Sequence, residues 1–266
     1  MRGSGGLRSS PNRSSGTGHS ARVAPRGFSL IDILVSLAIV ALLMGILLPS
    51  LGRVREIARQ AVCSSNARQI GLGVHMFAGE NLGALPKSQF LNPNSQYGGR
   101  SVGTQQRHMV LLRLQLQQHI GSEGRTGLWD GVGKLYAESY IPASAVFYCP
   151  SHRGEHPIER YAESFSIDGH TQIISNYQYR GVGPNGQSRL HMLEGNVALV
   201  ADALAGEAYF NHVRGFNILS VDGSVRWFAD SHGALSSQLA ETATAEDDTL
   251  VGDVWGRFDQ TDSNTP

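Results

Sequence analysis

The pattern of apolar and polar positions divides the chain into three regimes. Residues 1–25 (MRGSGGLRSSPNRSSGTGHSARVAP) hold almost nothing that a fold would bury. From Phe28 to Leu48 the chain then runs 21 residues with one charge, Asp32. At ~1.5 Å rise per residue that is roughly 31 Å of helix, about one hydrocarbon core. Beyond Leu51 apolar residues return at helical spacing. Val62, Ile70, Gly73 and Phe77 share one face with Leu72 and Met76 on its flank, and Arg68, Gly71 and His75 lie opposite. The pattern predicts a continuous helix from Phe28 to near Glu80, broken or bent around Gly45, Pro49 and Gly52. Its second half would pack on a sheet.

The remaining chain reads as short elements. Residues 87–107 are rich in Ser, Asn, Gln and Gly and predict a surface loop. Within His108–Ile120, Val110, Leu112, Leu114 and Leu116 alternate like a strand, but the glutamine run favours a helix. Lys134–Tyr140 predicts a short helix ended by Pro142. Val146–Cys149, Ile173–Tyr179 and Val197–Ala201 predict strands. Phe216–Val221 and Ser224–Phe228 flank Asp222-Gly223, the signature of a two-residue type I′ hairpin. Residues 241–262 carry seven acids and only Arg257, which reads as a loose tail. The expected class is therefore α+β: a long N-terminal helix, membrane-spanning in its first half and amphipathic in its second, on a small antiparallel sheet. The organisation reads as a basic leader (1–27), a transmembrane helix (28–48), its amphipathic continuation (49–82), a globular domain (83–240) and an acidic flexible tail (241–266).

Composition adds direction. Hydrophobic content of 41% suits a buried core, and 32 glycines and 10 prolines point to many turns rather than a helical bundle. The formal charge of zero hides an asymmetry, since residues 1–27 carry five arginines and no acid, leaving 17 basic against 22 acidic residues in the remainder. A basic flank before an apolar span is held in the cytoplasm while the far end crosses. The acidic remainder has no basic patch, which argues against a nucleic-acid partner. Cys63 and Cys149 then lie on the translocated side, where a disulfide is permitted; spacing alone leaves their pairing open.

Arg26-Gly27-Phe28-Ser29-Leu30-Ile31-Asp32-Ile33-Leu34-Val35 resembles the processing site of type IV prepilins and type II secretion pseudopilins. The resemblance implies cleavage between Gly27 and Phe28 by a membrane prepilin peptidase, followed by methylation of the new Phe28 N-terminus. Pro49 falls where such proteins carry a helix-bending proline. The family usually has Glu at the position of Asp32, which keeps the charge on a shorter stem. An acid in an apolar span costs up to roughly 2.5–3.5 kcal/mol at mid-bilayer, so it usually has a role. After cleavage, Asp32 would offset the free α-amine of Phe28 in a low dielectric. Cys63-Ser-Ser-Asn66-Ala-Arg-Gln69-Ile-Gly71, Gly83-Ala84-Leu85-Pro86 and Phe147-Tyr148-Cys149-Pro150-Ser151 resemble a planctomycete-type group of prepilin-like proteins. His212, separated by nine residues (213–221) from Asp222-Gly223 with Asn217 between, resembles the H-X9-DG motif of that group. The resemblance implies a structural subunit rather than an enzyme, with no cofactor. Its partners would be prepilin peptidase, other pilin-like subunits and inner-membrane lipid. It would lie single-pass in the inner membrane with a periplasmic C-terminal domain, then in a filament.

Other chemistry was weighed against these readings. His212 and Asp222 suit an acid–base pair, but Asp222 is explained more simply by the turn, with His212 tying the preceding loop to the hairpin. No nucleophile motif such as G-x-S-x-G accompanies them. Cys149, His152 and His156 are spaced C-x2-H-x3-H, three zinc ligands without an evident fourth, so no metal site is expected. Asp247, Asp248 and Asp253 lack the calcium-loop pattern, and Gly181-x-Gly183 follows no βα unit. Two other classes stay open: a signal-anchored periplasmic binding or adhesion module that never polymerises, and a membrane-tethered hydrolase using His212 and Asp222.

Overall fold

The computed structural model describes residues 29–91, 110–114, 129–165, 171–206, 209–241 and 249–260. Gly27 and Phe28 of the processing motif lie outside them. The chain divides into two units, residues 1–50 and 51–266.

In the first unit, helix α1 begins at Leu30; it ends in the second unit at Glu80, and the helical assignment is unbroken through Pro49. From Leu30 to Leu48 every side chain is exposed, and this stretch is long and apolar enough to cross a membrane. Asp32 Oδ2 accepts from the Ser29 amide at 3.3 Å, which caps the first turn.

In the second unit, α1 buries Cys63, Ala67, Ile70, Val74, Phe77 and Ala78. This face is rotated from the expected one, because Val62, Leu72 and Met76 are exposed. Gly71 and His75, expected on the outside, face the sheet: a Cβ on Gly71 would lie 2.8 Å from Leu219 Cδ1, and His75 Nε2 bonds the Val221 carbonyl at 2.8 Å. The glycines that weaken helix propensity are thus points of close approach. Beyond Glu80 the chain turns through Leu82 and Gly83, both at positive φ.

Among the described residues, six strands form two antiparallel sheets. Strands β1 (Leu111–Arg113) and β2 (Ile173–Ile174) pair in one. The other has the order β3 (Tyr177–Tyr179), β4 (Ala198–Asp202), β5 (Gly215–Ser220), β6 (Val225–Ala229). The expected helix over 108–120 is corrected where it is described: Val110 to Leu114 are all buried around β1, and pairing with β2 outweighs the propensity of the flanking glutamines. Helix α2 (Gly133–Ala137) matches the short helix expected there. Val146–Cys149, expected as a strand, is not one: Ser144–Phe147 forms a 3-10 turn that runs into the Cys-Pro turn.

The hairpin is present with Leu219 opposite Val225 and Ile218 opposite Arg226. Its connection is not type I′, since only Gly223 has positive φ. The Gly223 amide bonds Ser220 O at 3.0 Å and the Ser220 amide bonds Ser224 O at 2.9 Å. Val221-Asp222-Gly223 is therefore a three-residue connection with Gly223 at the bulge.

A second correction concerns the C-terminus. In place of a loose tail, helix α3 (Ala234–Glu241) and helix α4 (Thr249–Gln260) cover the second face of the sheet. Val251, Val254, Trp255 and Phe258 of α4 pack against Ala198, Ala201, Phe216 and Ile218. The apolar residues at i, i+3, i+4 and i+7 outweigh the acids: Asp253 is exposed, and Asp259 is neutralised at the sheet margin by Arg180 and the Ala198 amide. β4 and β5 are consequently buried on both faces. The core against α1 instead gathers Cys63, Ile70, Val74, Tyr177, Leu199 and Leu219.

Candidate functional site

Three segments far apart in sequence meet beside α1. Glu56, Cys63 and Asn66 are spaced 7 and 3 residues apart, so they share the helix face turned to the domain. Cys63 and Cys149 are joined by a disulfide, with Cα atoms 5.1 Å apart. Asn66 Nδ2 donates to the Tyr148 carbonyl at 3.0 Å, and the Cys149 amide donates to Asn176 Oδ1 at 3.2 Å. The Cys-Pro turn is thereby fixed from both sides.

His212 fills the angle between this turn and the sheet. Its Nδ1 lies 3.0 Å from Glu56 Oε1 and its Nε2 lies 3.6 Å from Cys149 Sγ. An ionised Glu56 only accepts, so Nδ1 carries the proton. Nε2 then takes the Asn217 amide at 3.3 Å as acceptor. Asp202 Oδ2 is 3.8 Å from the same nitrogen, and the Trp227 ring meets the imidazole edge-on at 5.3 Å. Glu56 also accepts from Ser151 Oγ at 3.0 Å and from Arg59 at 2.6 Å. Partial burial works against the Glu56 charge, but the bonds from His212, Arg59 and Ser151 hold its carboxyl below the ordinary range.

Asp202, at the end of β4, anchors the inner layer. It is fully buried and accepts from the Asn217 amide at 2.5 Å, from Asn217 Nδ2 at 3.1 Å and from Asn211 Nδ2 at 2.8 Å. Complete burial pushes its carboxyl up, opposed by the neighbouring His212 ring and these donors. Asn211 Oδ1 meets His152 Nδ1 at 3.1 Å, while His152 Nε2 accepts the His156 amide at 3.3 Å. His156 Nδ1 turns to the Tyr161 hydroxyl at 2.7 Å. The C-x2-H-x3-H set is therefore not assembled around Cys149: the histidine at that sulfur is His212. Burial lowers the pKa of both His152 and His156 from the ordinary 6.5.

The H-X9-DG residues separate into two jobs. His212 and Asn217 belong to the buried cluster, whereas Asp222 accepts the Ser224 amide at 2.8 Å inside the turn, and the Ser224 side chain together with that amide holds its carboxyl below the usual range. His212 and Asp222 share no hydrogen bond or ion pair. Asp253 is exposed on α4, and Asp247 and Asp248 lie outside the described residues. Glu56, Asp202, Asn176 and Asn211 carry the cluster without having been singled out. For Asp202 a signal existed, because a carboxylate closing the apolar strand ALVAD needs buried donors. Glu56, among Arg53, Arg55 and Arg59, carried none.

A groove of about 490 Å³ runs along the Cys-Pro turn, lined by Val62, Asn66, Tyr148, Cys149, Pro150 and Ile158, among others. The arrangement is that of an α+β module whose N-terminal helix is stapled to its sheet by a disulfide and a buried histidine. The family model described as "Protein of unknown function (DUF1559)" matches residues 52–192, more than half of the chain, and the chain belongs to that family. Asp202, His212 and Asn217 lie beyond the matched residues. No curated protein and no solved structure matches the chain.

Proposed function

We propose that the protein is a structural, pilin-like subunit, cut by prepilin peptidase between Gly27 and Phe28 and assembled into a type IV pilus-like or type II secretion pseudopilus filament. The observation that carries this reading is the apolar surface of α1. Leu30 to Leu48 are exposed all round, and beyond them Val54, Ala58, Ala61, Leu72 and Met76 leave an exposed apolar stripe on the side of the helix away from its buried face. Apolar surface of this extent calls for lipid first and a protein partner second. The bilayer would store the first stretch, and neighbouring copies would cover both in a helix bundle. The cluster around His212 supports a role in holding the module to its helix under load rather than in turnover. The processing motif and Asp32 support the same reading.

Intact mass of the chain from cells with and without prepilin peptidase tests it. The expected product with peptidase begins at a methylated Phe28. A Met1 form in both strains would overturn the reading.

A further inference from the structure

The atoms that staple α1 are also a set of metal-ligand atoms. Cys63 Sγ, Cys149 Sγ and His212 Nε2 lie within 4.8 Å of one another, and all three residues are buried. With zinc–sulfur and zinc–nitrogen distances of about 2.3 and 2.0–2.1 Å, a tetrahedral angle sets S and N about 3.6 Å apart. His212 Nε2 stands 3.6 Å from Cys149 Sγ. Asp202 Oδ2, 3.8 Å from the same nitrogen, offers an oxygen for a fourth corner. Glu56 on Nδ1 is the outer carboxylate that orients a metal-bound imidazole; the Nε2 lone pair, which meets Asn217 Nδ2 at 3.3 Å, would turn to the cation in its place. In the disulfide the sulfurs carry no charge to give a cation, so this set is complete only in the dithiol form.

We propose that Cys63 and Cys149, once reduced, bind one thiophilic divalent cation of the zinc class together with His212 and Asp202. The same pocket would then hold either a disulfide or a metal thiolate centre. A dithiol reductant passes two electrons and two protons to the bridge and is itself oxidised to a disulfide; the cation then displaces the two thiol protons. Cys149 and His212 are the pair that the geometry selects, in place of the sequence-adjacent His152, whose ring nitrogens meet Asn211 and the His156 amide, and His156, whose Nδ1 meets the Tyr161 hydroxyl. The inference does not rest on filament assembly.

The test uses the full chain in detergent, reduced with a phosphine, freed of reductant without oxygen and titrated with Co²⁺. One equivalent should bind, with thiolate-to-cobalt charge-transfer absorption that Zn²⁺ abolishes, and the oxidised chain should show none. Glu56→Gln should weaken binding about 10–100-fold, and His212→Ala should remove the band. Circular dichroism reports whether each reduced protein is folded. A reduced wild-type chain without the band overturns the proposal. So does a folded His212→Ala protein that binds as wild type does. Should His212→Ala fail to fold, Glu56→Gln decides, and unchanged affinity there is equally fatal.

Discussion

The two faces of the four-stranded sheet are held by different physics. On one face α1 adds the Cys63–Cys149 bridge and directional polar contacts, among them Glu56 to His212 across 156 residues, to the apolar contacts of Ala67, Ile70, Val74 and Phe77. On the other, α4 is attached mainly by Val251, Val254, Trp255 and Phe258 and carries no covalent bridge, with polar contacts at its C-terminal margin, where Asp259 pairs with Arg180 at 2.8 Å and accepts the Ala198 amide at 2.9 Å. Apolar contact tolerates exchange of one hydrophobe for another of similar volume. A bridge and a buried histidine fix one register, because each polar atom left unpaired costs about 1–3 kcal/mol. The face that would transmit tension from a membrane or filament helix is the one built with fixed register.

The largest expected effect breaks the apolar face. Trp255→Ala removes a fully buried indole and should cost about 3–5 kcal/mol, read as a lower denaturant midpoint. A change within about 0.5 kcal/mol would mean that α4 is not part of the core. Next comes the opposite face. Opening the Cys63–Cys149 bridge, which closes a loop with a sequence separation of 86, should cost about 2–4 kcal/mol. Paired unfolding curves with and without reductant, in a metal chelator, measure it; coincident curves would assign the helix attachment to the polar cluster alone.

The smallest effect is a pH dependence confined to the stapled face. His152 and His156 titrate below 6.5 in the fold, so the unfolded chain holds more protons just below that pH. Stability contributed by their neutral forms is complete above pH 6.5 and is lost as pH falls. Glu56, held below 4.5, adds a second loss only under more acidic conditions. These two histidines should therefore add no slope to the unfolding temperature above about pH 7 and lower it from there downward, opposed under acidic conditions by Asp202, whose carboxyl is pushed up by burial. His152→Gln should flatten the first part of the decline, and an unchanged profile would assign it to other groups.

Much of the fold was legible because it is periodic or local. The long helix followed from its spacing, and the hairpin from Asp222-Gly223 between two alternating runs. The staple was only partly legible. Its residues His212, Asn217, Cys63 and Cys149 stood out, but the partners of His212 did not, since Glu56 and Asp202 come from elements without any local mark of shared burial. The acids of residues 241–262 misled in the same way, because composition hides the i, i+3, i+4 pattern that α4 turns inward.

By itself the sequence determined the apolar span with its single acid, the helix that continues it, the α+β class and the turn at Gly223. Each of these depends on residues within a few turns or strands of one another. Only the tertiary structure decided which face of α1 is buried, that α4 closes the sheet, and that His212 meets a sulfur and Glu56 rather than Asp222. Those outcomes rest on contacts across tens to hundreds of residues, where burial and donor–acceptor matching outweigh local preference.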